Sequence, residues 1–171
     1  MTMSGQRTAP IIQQACVTAA QMQAIEARLL DAGFPVAALM EKVAGRIVDY
    51  WLERWPQELP QNQKVGVIVG PGHNGGDALV VARELYLQGY DVGIYAPFER
   101  CKPLKADHGR YCRHLGLPWY QTLAELPGFL NQGASTSQRR CDRILDGLFG
   151  FGLSRPITGE IATAIDLINQ S

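Results

Sequence analysis

Cysteine is scarce in this 171-residue chain, with four thiols at Cys16, Cys101, Cys112 and Cys141, no C-x-x-C pair and no zinc-ligand spacing. That argues against a disulfide-stapled scaffold and leaves buried or incidental thiols in a reducing cytoplasm as the expectation. A global charge is missing too. Sixteen basic residues balance sixteen acidic ones, so no net field draws the chain to nucleic acid or to an anionic membrane. No run approaches the roughly 18 apolar residues needed to cross a bilayer. The opening MTMSGQRTAP lacks the apolar core of a secretory signal and the arginine-rich pattern of a transit peptide. A cytoplasmic protein is expected, with neither nucleic acid nor membrane as partner, in which any anion is held by local geometry.

What is present alternates between strand and helix patterns. Residues 1–14 are polar and aperiodic and read as a flexible lead-in. Thr18-Ala-Ala-Gln21 has the form of a capping box, followed by Met22, Ile25, Leu29 and Leu30 at helical spacing and by Gly33 as a stop. Pro35 opens a second helix, to about Trp55, with Leu39, Met40, Val43, Ile47, Val48 and Trp51 as its apolar stripe, and Pro56 and Pro60 bound its exit. Lys64–Val69 is an apolar β-branched run that predicts a strand covered on both faces. A helix over Ala78 to about Gln88, a strand over Asp91–Ala96 and a helix over Pro103–Leu115 follow, the two helices closed by Gly89 and Gly116. Leu117–Tyr120 reads as a short strand, Thr122–Leu130 as helical, Gln132–Arg140 as a polar loop, Asp142–Leu148 as a strand and Thr158–Asn169 as the last helix. This order predicts an α/β fold, a three-layer α/β/α Rossmann-like sandwich with a mostly parallel sheet.

The segment Gly70-Pro-Gly-His-Asn-Gly-Gly-Asp77 carries the strongest chemical signal. Four glycines after a buried strand suggest a backbone that turns sharply and admits another molecule, with the next helix offering free N–H groups and the positive end of its dipole to an anion. Gly70, Gly72 and Gly75 satisfy G-x-G-x-x-G, a weak match alone, because the acidic residue a dinucleotide fold wants after the second strand has only Glu99 as candidate. The plainer alternative is a tight turn with Asp77 as helix cap and no ligand.

Gly70 to Arg83 is very similar to the G-x-G-N-N-G-G-D-G-x-V-x-A-R signature of the NAD(P)H-hydrate epimerase family, the YjeF N-terminal domain. Leu39-Met-Glu-Lys-Val-Ala44 resembles that family's L-M-E-x-A helix start with one residue added, Asp146-Gly-Leu-Phe-Gly-Phe-Gly152 its D-x-x-x-G-x-G loop, and Val17–Met22 its first helix. The agreement runs in order from about residue 15 to Asn169. The resemblance implies a YjeF N-terminal-like domain over residues 15–171 that epimerises the R and S forms of hydrated NAD(P)H, with a potassium ion as cofactor.

Carried over position by position, the resemblance places His73, Asn74, Gly75, Gly76 and Asp77, together with Gly150, Phe151, Gly152, Leu153, Ser154, Arg155 and Pro156, around the ligand. It gives Asn74 and Asp146 to the ion, and amide and carboxylate oxygens are hard donors of the right kind. Taken alone, a strand-end Asp146 equally suits a turn cap, and Arg155 a solvated loop. His73 stands where the family has asparagine and Ala78 where it has glycine, which matters only if position 78 needs a positive φ. The family continues into a D-x-P-S-G strand that completes the site. These 171 residues stop where it should begin, so the expectation is a C-terminally truncated domain whose catalytic competence is open. A homodimer and a fused or separate NAD(P)H-hydrate dehydratase are compatible partners. Two alternatives differ in class: a non-catalytic nucleotide-binding or scaffold domain, and an NAD(P)-dependent oxidoreductase domain resting on G-x-G-x-x-G alone.

Overall fold

The computed structural model describes residues 16–55, 63–130 and 141–171. The expected lead-in, the two prolines at the exit of the second helix and the 132–140 loop lie outside the described residues. The chain divides into a unit of residues 1–36 and a unit of residues 37–171.

Helix α1 (Ala19–Asp31) belongs to the first unit, and its predicted capping box is present. Gln21 N donates to Thr18 Oγ1 at 3.3 Å, and Thr18 N donates to Gln21 Oε1 at 2.8 Å. Its C-terminus is a Schellman motif, with Phe34 N donating to Leu29 O, Gly33 N to Leu30 O, and Gly33 at φ 87°.

In the second unit, strands β1 (Lys64–Val69), β2 (Asp91–Tyr95), β3 (Trp119–Tyr120) and β4 (Arg143–Gly147) form one parallel sheet in the order β3-β2-β1-β4. Helix α2 (Val36–Arg54), helix α3 (His73–Leu87) and helix α4 (Pro103–His114) cover one face. Helix α5 (Leu126–Leu130), after a 3₁₀ turn at Leu123–Glu125, and helix α6 (Glu160–Asn169) cover the other. The alternating side chains of β1 separate the two cores. Val65, Val67 and Val69 pack with Met40, Val48 and Trp51 of α2 and Leu79 and Leu85 of α3, whereas Ile68 packs with Phe129, Leu126 and Ala164. The α2 stripe is narrower than its pattern suggests: Met40, Ala44, Val48 and Trp51 are buried, and Val43 is exposed. Gly89 and Gly116 end α3 and α4 in two further Schellman motifs, at φ 92° and 87°.

Two motif residues turn out to be structural. Arg83 of α3 donates to both carboxylate oxygens of Glu41 on α2, at 3.1 and 2.7 Å, which joins the two helices by a fork of charge-assisted bonds. The Arg83 bond holds the Glu41 carboxyl below the usual carboxylate range.

Helix α3 starts five residues earlier than expected, at His73, with Gly72 as N-cap and no side-chain cap bond. Asp77 is therefore inside the helix and does not cap it. Three of the four glycines answer to close packing within the chain, where the sequence suggested only a sharp turn that admits another molecule. A Cβ on Gly70 would lie 1.7 Å from Leu148 O, one on Gly75 2.1 Å from Gly70 O, and one on Gly76 2.6 Å from Met40 Cε. Gly72 alone of the four has open space beside it. None of the four has a positive φ.

Gly70→Ala is expected to cost about 3 kcal/mol or more, since backbone must move on both sides, while Gly72→Ala costs about 1 kcal/mol as a weaker N-cap. Urea denaturation of the two variants measures both, and equal losses reject the packing account. Glu41→Gln should lower stability at neutral pH by about 1 kcal/mol or less, because the carboxylate is partly exposed to water. A group whose folded pKa is depressed stabilises above its unfolded value, so this contribution is present above about pH 4.5 and fades as pH falls through the folded value. The difference in melting temperature between wild type and Glu41→Gln should therefore shrink from pH 7 to pH 3; a constant difference would contradict the assignment.

Candidate functional site

The chain passes from β1 to β2 to β3 in one direction and then returns to place β4 on the other side of β1. The C-terminal ends of β1 and β4 thus flank the topological switch point, where the connections leave in opposite directions and open a crevice. The two turns singled out in the sequence both leave from this point. Gly70 N donates to Gly147 O at 3.0 Å, continuing the β1–β4 ladder one step beyond the strand.

Beyond that bond, the first turn of α3 meets the β4 turn directly. A Cβ on Gly150 would sit 3.5 Å from Asn74 Cβ and 3.9 Å from Asn74 Oδ1, and one on Gly147 would sit 2.3 Å from Ala78 Cβ. Ala78 is an ordinary buried helical residue, and its methyl fills space that a side chain at 147 would need. The departure from glycine at position 78 is thereby accommodated without any positive φ.

Because α3 has no side-chain cap, the N–H groups of its first turn face the crevice mouth without an intrahelical partner. A cation stands next to them. Lys102 Nζ lies 3.1 Å from His73 Nε2, and Lys102 N donates to Pro71 O at 3.4 Å. With the ammonium donating, the His73 ring accepts through Nε2 and carries its proton on Nδ1. Helix dipole and ammonium together make the turn a local positive end in a chain of zero net charge.

Asp146 occupies the last turn-facing position of β4, paired in register with Ile68. Its Oδ1 accepts from Leu148 N at 2.9 Å, so the carboxylate caps the turn, as a strand-end aspartate often does. With Ile68, it faces the α6 side of the sheet. There a cavity of about 400 Å³ is lined by Asp146, Leu148, Ile144, Ile165 and Ile168, and by none of residues 70–77. Leu153 N donates to Gly150 O at 3.3 Å, which folds residues 150–153 into a turn. Phe151, Gly152, Leu153, Ser154, Arg155 and Pro156 are exposed, and among the described residues no hydrogen bond or ion pair fixes Ser154 or Arg155.

The structure brings together Asn74 and Gly150, with His73, Gly75, Gly76 and Asp77 in the same helical turn, and leaves 151–156 open to solvent. Among the described residues, no group of three or more His, Cys, Asp and Glu could hold a metal ion. Sequence reading missed two contributors. Phe98, beyond β2, meets Phe149 edge-on with ring centroids 6.1 Å apart, so loops from three strands converge at the crevice. Lys102 was overlooked because a lone lysine before a helix-starting proline carries no motif.

Residues 36–171 match the family model described as YjeF-related protein N-terminus. The chain is 52% identical over 155 residues to the bifunctional NAD(P)H-hydrate repair enzyme Nnr of Thermosynechococcus vestitus, covering 91% of this chain and 28% of that protein. It is 36% identical over 141 residues to the NAD(P)H-hydrate epimerase of Oenococcus oeni, covering 81% of this chain and 60% of that one. The crystal structure of yeast ynu0 superposes with a TM-score of 0.74 at 24% identity, over 91% of this chain and 65% of that chain, and supports the α/β fold. The chain thus spans 28% and 60% of the length of these two curated relatives. Its signature segments fall in order on β1, α3 and β4, and the match extends to its last residue: the chain belongs to the YjeF N-terminal family.

Proposed function

We propose that these residues form the nucleotide-holding part of a site that epimerises hydrated NAD(P)H. The observation that carries the reading is the junction of an uncapped helix N-terminus with the β4 turn at the switch point, through Gly70–Gly147 and Asn74–Gly150. Relatives named as epimerases and repair enzymes supply the substrate class.

The diphosphate of the ligand is taken at the N-terminal turn of α3, where the positive end of the helix dipole meets the Lys102 ammonium. Residues 150–156 cover the other side of the ligand, and their exposed Ser154 and Arg155 provide donors that ordering around it would recruit. The reaction itself asks little of the protein. Protonation of the C6 hydroxyl releases water as the ring-nitrogen lone pair forms an iminium, and water returning from the other face, with loss of a proton, gives the opposite epimer. Positioning and modest acid–base help suffice, because the ring stabilises its own intermediate.

For the potassium ion, the chain offers Asn74 Oδ1 and the second oxygen of Asp146, whose first oxygen is engaged by Leu148 N. An oxygen-only set with one charge fits a hard, weakly held monovalent cation. When bound, the ion supplies a fixed positive charge beside the ligand. The name of the bifunctional relatives supports a second repair activity, a dehydratase, joined to this domain in the whole protein.

Calorimetric titration with hydrated NADPH in potassium chloride tests the reading. Asn74→Ala and Asp146→Asn are each expected to weaken binding by about tenfold, the worth of one charge-assisted bond, and the Asp146→Asn variant keeps its turn-capping oxygen. Wild-type affinity in both variants, or wild-type indifference to replacing potassium with sodium, rejects the assignment of these two residues. An unchanged rate of R/S interconversion, followed by chromatography on the whole protein carrying Asn74→Ala, rejects the functional reading.

A further inference from the structure

A second recess opens on the opposite side of α3's N-terminus, beyond the ends of β2 and β3. Its volume is about 190 Å³, and its walls include Glu99, Cys101, Lys105, Arg113, Trp119 and Gln121. None of these belongs to the two turns described above.

Lys105 is the unusual member. It is 4% exposed, the one charged side chain buried among the described residues, and no hydrogen bond or ion pair is made to it there. A lysine that merely covers apolar surface with its stem keeps its ammonium in water and remains substantially exposed. Lys105 instead sits in the first turns of α4, with its Cβ 3.9 Å from where a Cβ on Gly76 would be, which wedges it between the starts of α3 and α4. Burial pushes its pKa down, and the nearby Arg113 pushes in the same direction, against the opposing effect of the Cys101 thiol. Its ammonium, unpaired among the described residues, lines the recess and is open to an anion that enters it.

Arg113 supplies the second half. Its guanidinium is stacked on the Trp119 ring, 3.8 Å from the centroid, which fixes its plane at the rim while leaving its donors available. Trp119 also sets the floor of this region, its Cη2 lying 3.2 Å from a Cβ position at Gly109. Glu99, exposed on the same rim, forms no ion pair with either cation among the described residues and remains an acceptor suited to a hydroxyl.

We propose that this recess binds a phosphate-class dianion, with Lys105 at its base and Arg113 at its mouth. The two cations match the charge of a phosphate or phosphate monoester, and the volume leaves room beyond the phosphate for part of a carrier. The site does not depend on the epimerase reading. Its phosphate comes either from free inorganic phosphate or from a monoester on the ribose of a nucleotide, a group that α/β folds commonly meet at the end of their second strand.

Titration of the full chain with inorganic phosphate, followed by ³¹P line broadening and calorimetry, tests the proposal. Saturable binding is expected, weakened at least tenfold in both Lys105→Met and Arg113→Gln. Lys105→Met should fold, since an apolar side chain of similar length replaces an unpaired buried charge; if it does not, the exposed Arg113→Gln variant decides alone. No saturable phosphate binding by the wild type, or undiminished binding by Arg113→Gln, overturns the site. A second comparison separates the sources: tighter binding of 2′,5′-ADP than of 5′-AMP, with the preference lost in Arg113→Gln, assigns the recess to a ribose phosphate. Equal affinities beside retained phosphate binding assign it to the free anion. Asn74→Ala should leave phosphate affinity unchanged, so failure of the crevice reading and failure of this one are read separately.

Discussion

The structure of the site depends on how closely the ends of β1 and β4 approach each other. Gly70 N reaches Gly147 O at 3.0 Å, and the backbone of Leu148 occupies the space where a side chain on Gly70 would stand. Parallel neighbours ordinarily diverge once their pairing stops, each entering its own crossover. Here the ladder persists past the strand ends, and Gly75 folds back against the carbonyl of Gly70. As a result α3 begins directly above the switch point and not several residues away from it. The placement of Asn74 beside Gly150, and of the uncapped helix end beside Lys102, follows from that compression.

Much of this architecture was legible because local signals agreed. The capping box at Thr18 and the stops at Gly33, Gly89 and Gly116 all appear, the last three in left-handed geometry that favours glycine. The run at Lys64–Val69 is buried on both faces, as a central parallel strand requires. The adjacency of the two turns was also readable, since alternating elements predict a parallel sheet and strand C-termini collect the loops. The family relationship was carried by residues that then proved to have different tasks. Glu41 and Arg83 clamp α2 to α3, while Gly70, Gly75 and Gly76 make room for the chain itself.

What escaped the sequence reading shares a physical cause. A glycine that avoids another backbone and a glycine that admits a ligand look identical in one dimension, so the glycine-rich segment was credited to ligand approach more than its geometry supports. The start of α3 was placed at Ala78 because Gly75 and Gly76 have poor helix propensity, and tertiary contact overrode that preference. The face chosen by Asp146 could not be read either. Its register with Ile68, which turns it toward α6, depends on pairing between segments nearly eighty residues apart. Phe98 and Phe149 likewise meet only after both loops are folded.

The zero net charge of the chain sharpens the case for anion recognition by geometry. With no general field to draw phosphates in, positive potential must be concentrated locally by the fold. The region around the N-termini of α3 and α4 does this in two ways. The α3 end offers partial charges fixed along the backbone, which cannot be relaxed away by side-chain motion. The α4 side offers full charges, one buried at Lys105 and one clamped on an indole at Arg113. A side chain at Gly76 would run into Met40 and reach the Lys105 stem, so the glycine-rich turn lets α3 and α4 start close together. A single stretch of backbone thus serves two neighbouring anion-attracting surfaces. The same density of close contacts that leaves no room for side chains at 70, 75 and 76 holds those surfaces at a fixed separation.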